Sequence, residues 1–237
     1  MAYPVTVLLH GAGLGAWVWQ PVIERMATPA LALDVPGRHA TATPEGCARA
    51  LAAELDRRGI DEVVLVAHSL AGVLVPELAV RLGSRLRHCA YLAAAIAPPG
   101  GAFVDALGAI DRTLLRLLFR FNQDGLKPGE PMIRKELCND LDEVAAAQVV
   151  SRYAAEFPGL YLTPVQAQPA RVPSTYLRLL RDRSLARSRQ DAMIARLQRP
   201  GVQDLDAGHL AMLSVPAQLA QTLTAIALSA GTERAAA

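Results

Sequence analysis

The chain is 237 residues long, carries a formal net charge of +2 and is 52% hydrophobic. That length and apolarity predict one large domain with a sizeable buried core and exclude a disordered chain. The basic residues are scattered and almost all arginine, which excludes a basic groove for nucleic acid, and no apolar run nears the ~20 residues of a membrane span.

Cysteine usage narrows the setting. Cys47, Cys89 and Cys138 are odd in number, far apart and in no C-x-x-C pair. Neither a disulfide framework nor a metal set is predicted, and a reduced, cytoplasmic protein is. Met1 leads almost directly into the apolar Val5-Thr-Val-Leu-Leu9 with no charged leader or cleavage site, which predicts the same compartment.

In chain order, short apolar runs alternate with longer amphipathic stretches. Strands are predicted at 4–9, 31–34, 62–67, 87–93, 174–180 and 201–205, and helices at 16–27, 44–59, 70–83, 187–198 and 215–229. Several strands are nearly unbroken Val, Leu and Ala, as in parallel strands covered on both faces. The pattern predicts an α/β fold with about six mainly parallel strands flanked by helices.

Between 96 and 171 the alternation stops. Pro98-Pro-Gly-Gly101 opens a segment with helical stretches at 102–121 and 140–156, and Pro158, Pro164, Pro169 and Pro173 close it. The expected organisation is a core of 1–95 and 172–230, a helical cap of 96–171 over the C-terminal edge of the sheet, and a frayed tail of 231–237. Within the cap, Arg112, Arg116 and Arg120 recur at one-turn spacing. They read as a solvated helix face, with contact to a membrane or an acidic partner as the other reading.

The stretch Val63-Val-Leu-Val-Ala-His-Ser-Leu-Ala-Gly-Val-Leu74 carries the most chemistry. Ser69 stands where an apolar strand gives way to a helix. A serine there is either a helix cap or a nucleophile on a strained strand–helix elbow, which demands small residues two places to either side. Ala67 and Ala71 meet that demand in place of glycines, with Gly72 one place later. At the helix N-terminus, free N–H groups favour developing negative charge.

His10-Gly-Ala-Gly-Leu-Gly-Ala-Trp-Val-Trp19 follows the first strand. Its glycines let backbone N–H groups turn toward the sheet edge, where an acyl-transfer enzyme needs two donors for the tetrahedral oxyanion. The backbone N–H groups of Leu70 and Ala12 are the candidates. A phosphate loop is disfavoured because neither G-x-G-x-x-G nor a G-K-[ST] ending is present. His10 reads as shaping this loop, and Trp17 and Trp19 as anchors of the first helix.

A general base is needed late in the chain, and of the five histidines only His209 lies beyond the cap. Its orienting carboxylate is Asp182, just past the predicted fifth strand. Asp204 and Asp206 compete by proximity but belong to the strand and loop of His209 itself.

With these residues in place the chain resembles the branch of α/β-hydrolases that holds plant methyl esterases, plant hydroxynitrile lyases and bacterial esterase relatives. The likeness is carried by HGAGLGAWVW at 10–19, LVAHSLAG at 65–72, TYLRLLRD at 175–182 and DAGHLAMLSVP at 206–216. It implies a triad of Ser69, Asp182 and His209, oxyanion donors at Ala12 and Leu70, and a six-stranded parallel core. Plant-type lyases of this branch carry a threonine after the first-loop histidine and a lysine after the catalytic one; here Gly11 and Leu210 stand there. The chain also departs from the branch in its elbow alanines and in lacking a proline just after Asp182.

The expected function is serine hydrolysis of a small, apolar carboxylic ester through an acyl-enzyme, with no cofactor and no metal. The pocket is expected to involve Gly11, Gly13, His68, Phe103 and Leu210. The cap residues Leu107, Leu114, Leu115, Leu118, Phe119 and Phe121 either line that pocket or pack the cap. A lyase or cyclase using the same site, and a receptor-like relative that binds without turnover, are the other readings. A homodimer is left open.

Overall fold

The structure, a computed structural model, describes residues 3–168 and 170–235. Six strands, β1 (Val5–Leu9), β2 (Ala30–Leu33), β3 (Val63–His68), β4 (Leu86–Leu92), β5 (Ser174–Leu179) and β6 (Gly201–Leu205), form one sheet in the order β2-β1-β3-β4-β5-β6. Every pairing is parallel. The predicted strands agree with these bounds to within one residue.

Alternation along the strands builds two cores. Val7, Leu9, Val63, Leu65 and Ala67 face one side, where they meet α2 (Pro44–Arg57) and α3 (Val75–Leu82). Leu8, Val66, Ala90 and Leu92 face the other, against α1 (Gln20–Ile23) and the later helices of the core.

The sequence predicts a helix over 70–83. The structure instead has a 3-10 segment at Ser69–Leu74 before α3 begins at Val75. The first helix is likewise shorter than 16–27, a 3-10 turn at Ala16–Trp19 followed by α1. The segment 96–171 holds α4 (Ala109–Phe121), α5 (Glu130–Leu137), α6 (Glu143–Arg152) and α7 (Gly159–Leu162). Two of these, α5 and α7, lie outside the predicted stretches. After β5 come α8 (Arg187–Ile194), α9 (Ala211–Ser214) and α10 (Pro216–Ala235). Thus 231–235 extend a helix where a frayed tail was expected, while 236–237 and Pro169 lie outside the described residues.

Because the sheet is parallel, every strand delivers its following loop to the same edge. The chain runs from β1 to one edge strand and then returns to β3 on the other side of β1. Such a reversal opens a crevice at the C-terminal ends of the central strands. The loops after β1, β3, β5 and β6 all emerge there, carrying His10, Ser69, Asp182 and His209. Among the described residues no helix is long and apolar enough to cross a membrane.

Candidate active site

Ser69 has φ 52, the left-handed region that a non-glycine residue occupies only when its surroundings enforce it. Two close approaches enforce it here. A β-carbon on Gly11 would lie 2.8 Å from Ser69 Cβ and 2.9 Å from His68 Nδ1, so the first loop can pass the elbow only as glycine. On the far side, Gly72 lies against Ala94 and the backbone of Ala95, whose N–H donates to Ser69 O at 2.9 Å.

Around this serine the side chains form one chain of hydrogen bonds. His209 Nε2 lies 3.1 Å from Ser69 Oγ, and His209 Nδ1 lies 2.8 Å from Asp182 Oδ2. The other carboxylate oxygen of Asp182 accepts from the backbone N–H groups of Ser184 and Leu185 at 2.8 and 2.9 Å. With both oxygens satisfied, the carboxylate is aimed rather than free to rotate. Asp182 and His209 are both buried, which strengthens these bonds relative to water. Asp204 and Asp206 instead pair with Arg178 and Arg181 at the surface.

Several supporting residues carry no motif and were not foreseen. Fully buried Gln190 accepts from Leu179 N–H and donates to Leu179 O and Leu185 O, stitching the strand end to the loop that holds Asp182. From the cap, Asp140 accepts from Gly208 N–H at 2.6 Å, and Asn139 Nδ2 donates to Arg181 O at 3.0 Å. The segment 96–171 is therefore tied to both the loop of His209 and the loop of Asp182.

The two other histidines at this edge are held neutral. His10 Nδ1–H donates to Gly11 O at 2.8 Å while Nε2 accepts from Val35 N–H at 3.0 Å, so it shapes the loop as expected. Burial pushes its pKa from the usual 6.5 down to about 4. His68 donates through Nε2–H to His209 O at 2.9 Å, and burial, then the neighbouring His209, push its pKa well below 6.5. The unfolded chain binds these protons near pH 6.5, so stability is intact above that value and falls as pH drops toward 4. His10 alone should cost about 2 kcal/mol by pH 5, above the carboxylate range. Urea unfolding at pH 7.5, 6 and 5 checks this, and a midpoint that stays level across the window rules it out.

Of the other expected site residues, Gly11 and Ala12 line a narrow cleft together with Val35, Arg38, Leu70, Glu156 and Leu160. Among the described residues, neither Ala12 N–H nor Leu70 N–H donates to a protein acceptor. Gly13 lies next to this cleft, beneath the Tyr153 ring. Two expectations need correction. His68 is fully enclosed, with Trp19 edge-on to its ring, and supports the His209 loop from behind. Leu210 is also fully buried, in the core against the far face of the sheet. Phe103 packs edge-on to Tyr161, and Phe119 also lies against Tyr161, as cap packing, while Leu114, Leu118 and Phe121 point to solvent. Among the described residues no group of three or more His, Cys, Asp or Glu side chains could hold a metal ion.

A six-stranded parallel sheet carrying an elbow serine, with a histidine and a carboxylate on later loops, defines the α/β-hydrolase class. The profile of the alpha/beta hydrolase family matches residues 6–222, and the chain belongs to that family. No curated protein matches it by sequence. Among solved structures it is similar to an extracellular alpha/beta-hydrolase from a Paenibacillus species, described as sharing structural and functional homology with tobacco salicylic acid binding protein 2. The TM-score is 0.83 at 14% identity, over 94% of this chain and 98% of that one. It is also similar to a pyrethroid hydrolase from Sphingobium faniae JZ-2, with TM-score 0.76 and 20% identity over 94% and 97% of the chains. A third likeness is to the Arabidopsis methylesterase MES16, with TM-score 0.71 and 20% identity over 94% and 98%.

Proposed function

We propose that this α/β-hydrolase cleaves a small carboxylic ester through an acyl-enzyme on Ser69. The observation that carries the reading is the unbroken relay of Asp182, His209 and Ser69 at 2.8 and 3.1 Å, beside the two free amide donors of Ala12 and Leu70. His209 Nε2 takes the Ser69 proton as Oγ attacks the ester carbonyl, and Asp182 stabilises the imidazolium that results. The oxyanion is received by Ala12 and Leu70 N–H. His209 then returns the proton to the departing alkoxide, and a water activated by the same imidazole releases the acid.

Two features favour ester hydrolysis over cyanohydrin cleavage. Position 11 has no room for the β-carbon of a threonine, and position 210 is an apolar residue sealed in the core rather than a lysine near the leaving group. The likeness to a methylesterase and a pyrethroid hydrolase agrees with an ester substrate.

A fluorophosphonate probe tests the reading. Stoichiometric labelling on Ser69, lost in Ser69→Ala, is the expected result, together with turnover of p-nitrophenyl acetate. Labelling that survives in Ser69→Ala, or an inert wild type, defeats it.

A further inference from the structure

We propose that Glu156, in the cap, is a positioning residue for the oxyanion loop, so that the acyl-transfer geometry depends on the docked cap segment 152–156. The inference rests on the esterase reading above and deepens it. Both polar atoms of Gly13 are bound by this segment: Gly13 N–H donates to Glu156 Oε1 at 2.7 Å, and Gly13 O accepts from Ala154 N–H at 2.9 Å. The Tyr153 ring lies so close over Gly13 that a β-carbon there would collide with it. One residue earlier, the Arg152 guanidinium sits 4.3 Å from the Trp17 ring centroid, a cation–π contact just after the same loop.

Glu156 itself is held firmly. Its backbone pairs with Leu126 through two hydrogen bonds of 2.8 and 3.0 Å, and its side chain is 8% exposed. The same Oε1 accepts from Arg38 Nε at 2.9 Å, and Arg38 Nη2 donates to Leu14 O. A nearly buried carboxylate with a guanidinium and a backbone amide as partners is a charge-assisted anchor, stronger than a neutral contact.

The consequence for chemistry follows from peptide geometry. Ala12 N–H belongs to the 11–12 peptide, whose carbonyl, Gly11 O, is held by His10 Nδ1–H and Leu14 N–H. The next peptide, 12–13, is held by Glu156 through Gly13 N–H. Ala12 is thus fixed between two pinned planes, and releasing the second leaves the 11–12 plane, with the Ala12 amide in it, held from one side only and free to tilt off the oxyanion position. Since a donor acts only within hydrogen-bond range of the developing charge, the loss appears in kcat and not in substrate binding.

The test uses the full chain with p-nitrophenyl acetate, the fluorophosphonate labelling rate and the thermal midpoint. Glu156→Ala is expected to lower kcat and the labelling rate about 30- to 300-fold, near the ~10²–10³ of a lost donor, with KM within about threefold. Glu156→Gln retains an acceptor oxygen and should stay within about tenfold of wild type, though at least about threefold down. Asp111→Ala, which removes a cap ion pair to Arg189, should leave kcat unchanged. If Glu156→Ala does not fold, Glu156→Gln decides. Unchanged kcat in the Glu156 variants, a change confined to KM, or an equal kcat loss in Asp111→Ala overturns the inference. A wild type that labels at Ser69 as fast as Glu156→Ala does overturns this inference alone. A wild type that never labels overturns the esterase reading beneath it.

Discussion

Asp182→Asn is expected to lower kcat about 10⁴-fold while leaving KM and the thermal midpoint nearly unchanged. The size of the effect follows from the two roles of one carboxylate. Oδ1 accepts from the amides of Ser184 and Leu185, and Oδ2 accepts from His209 Nδ1–H. An asparagine must keep its carbonyl oxygen on the two backbone donors, which forces its NH₂ toward the histidine. His209 Nδ1 then becomes the acceptor, the proton moves to Nε2, and that nitrogen can no longer take the Ser69 proton. Asp204→Asn and Asp206→Asn, whose carboxylates pair with surface arginines, should retain wild-type kcat. Esterase kinetics on the three variants decide it: an Asp182→Asn enzyme within tenfold of wild type removes Asp182 from the relay.

The elements that carry Ser69, Asp182 and His209 were legible because each has a local signature. Unbroken Val and Leu runs mark buried parallel strands, and small residues around Ser69 mark the elbow. His209 was identifiable by elimination and Asp182 by its place after an apolar strand. The residues that brace them were not legible. Glu156 reaches Gly13 across 143 positions and Asp140 reaches Gly208 across 68, and neither sits in a pattern that distinguishes it from a surface acid. Cap helix α4 misled for a related reason. Its apolar residues lie on more than one face, and spacing alone does not say which face meets the core. The structure buries Phe119 and leaves Leu114, Leu117 and Phe121 in solvent.

The elbow itself offers the second large effect. Read as a pattern, A-x-S-x-A suggests that Ala71 has taken the place of a required glycine and that Gly72 is incidental. The packing says the reverse. A β-carbon at Gly72 would stand 3.0 Å from both Ala94 Cβ and Ala95 N, and closer still to Ala95 O. Those atoms cannot retreat, because Ala95 N–H is bound to Ser69 O and Ala94 O accepts from the Tyr176 hydroxyl at 3.0 Å. Gly72→Ala is therefore expected to destabilise the protein by about 3 kcal/mol, the upper end for overpacking, lowering the thermal midpoint roughly 6–12 °C. Because the displaced Ala95 carries Ser69 with it, activity per folded molecule should fall as well. Ala71→Gly, at a buried site that needs no glycine, should cost no more than about 1 kcal/mol through backbone entropy and keep its activity. Thermal unfolding and esterase assays on the pair separate the two readings, and a Gly72→Ala protein as stable and active as Ala71→Gly would return the glycine requirement to position 71.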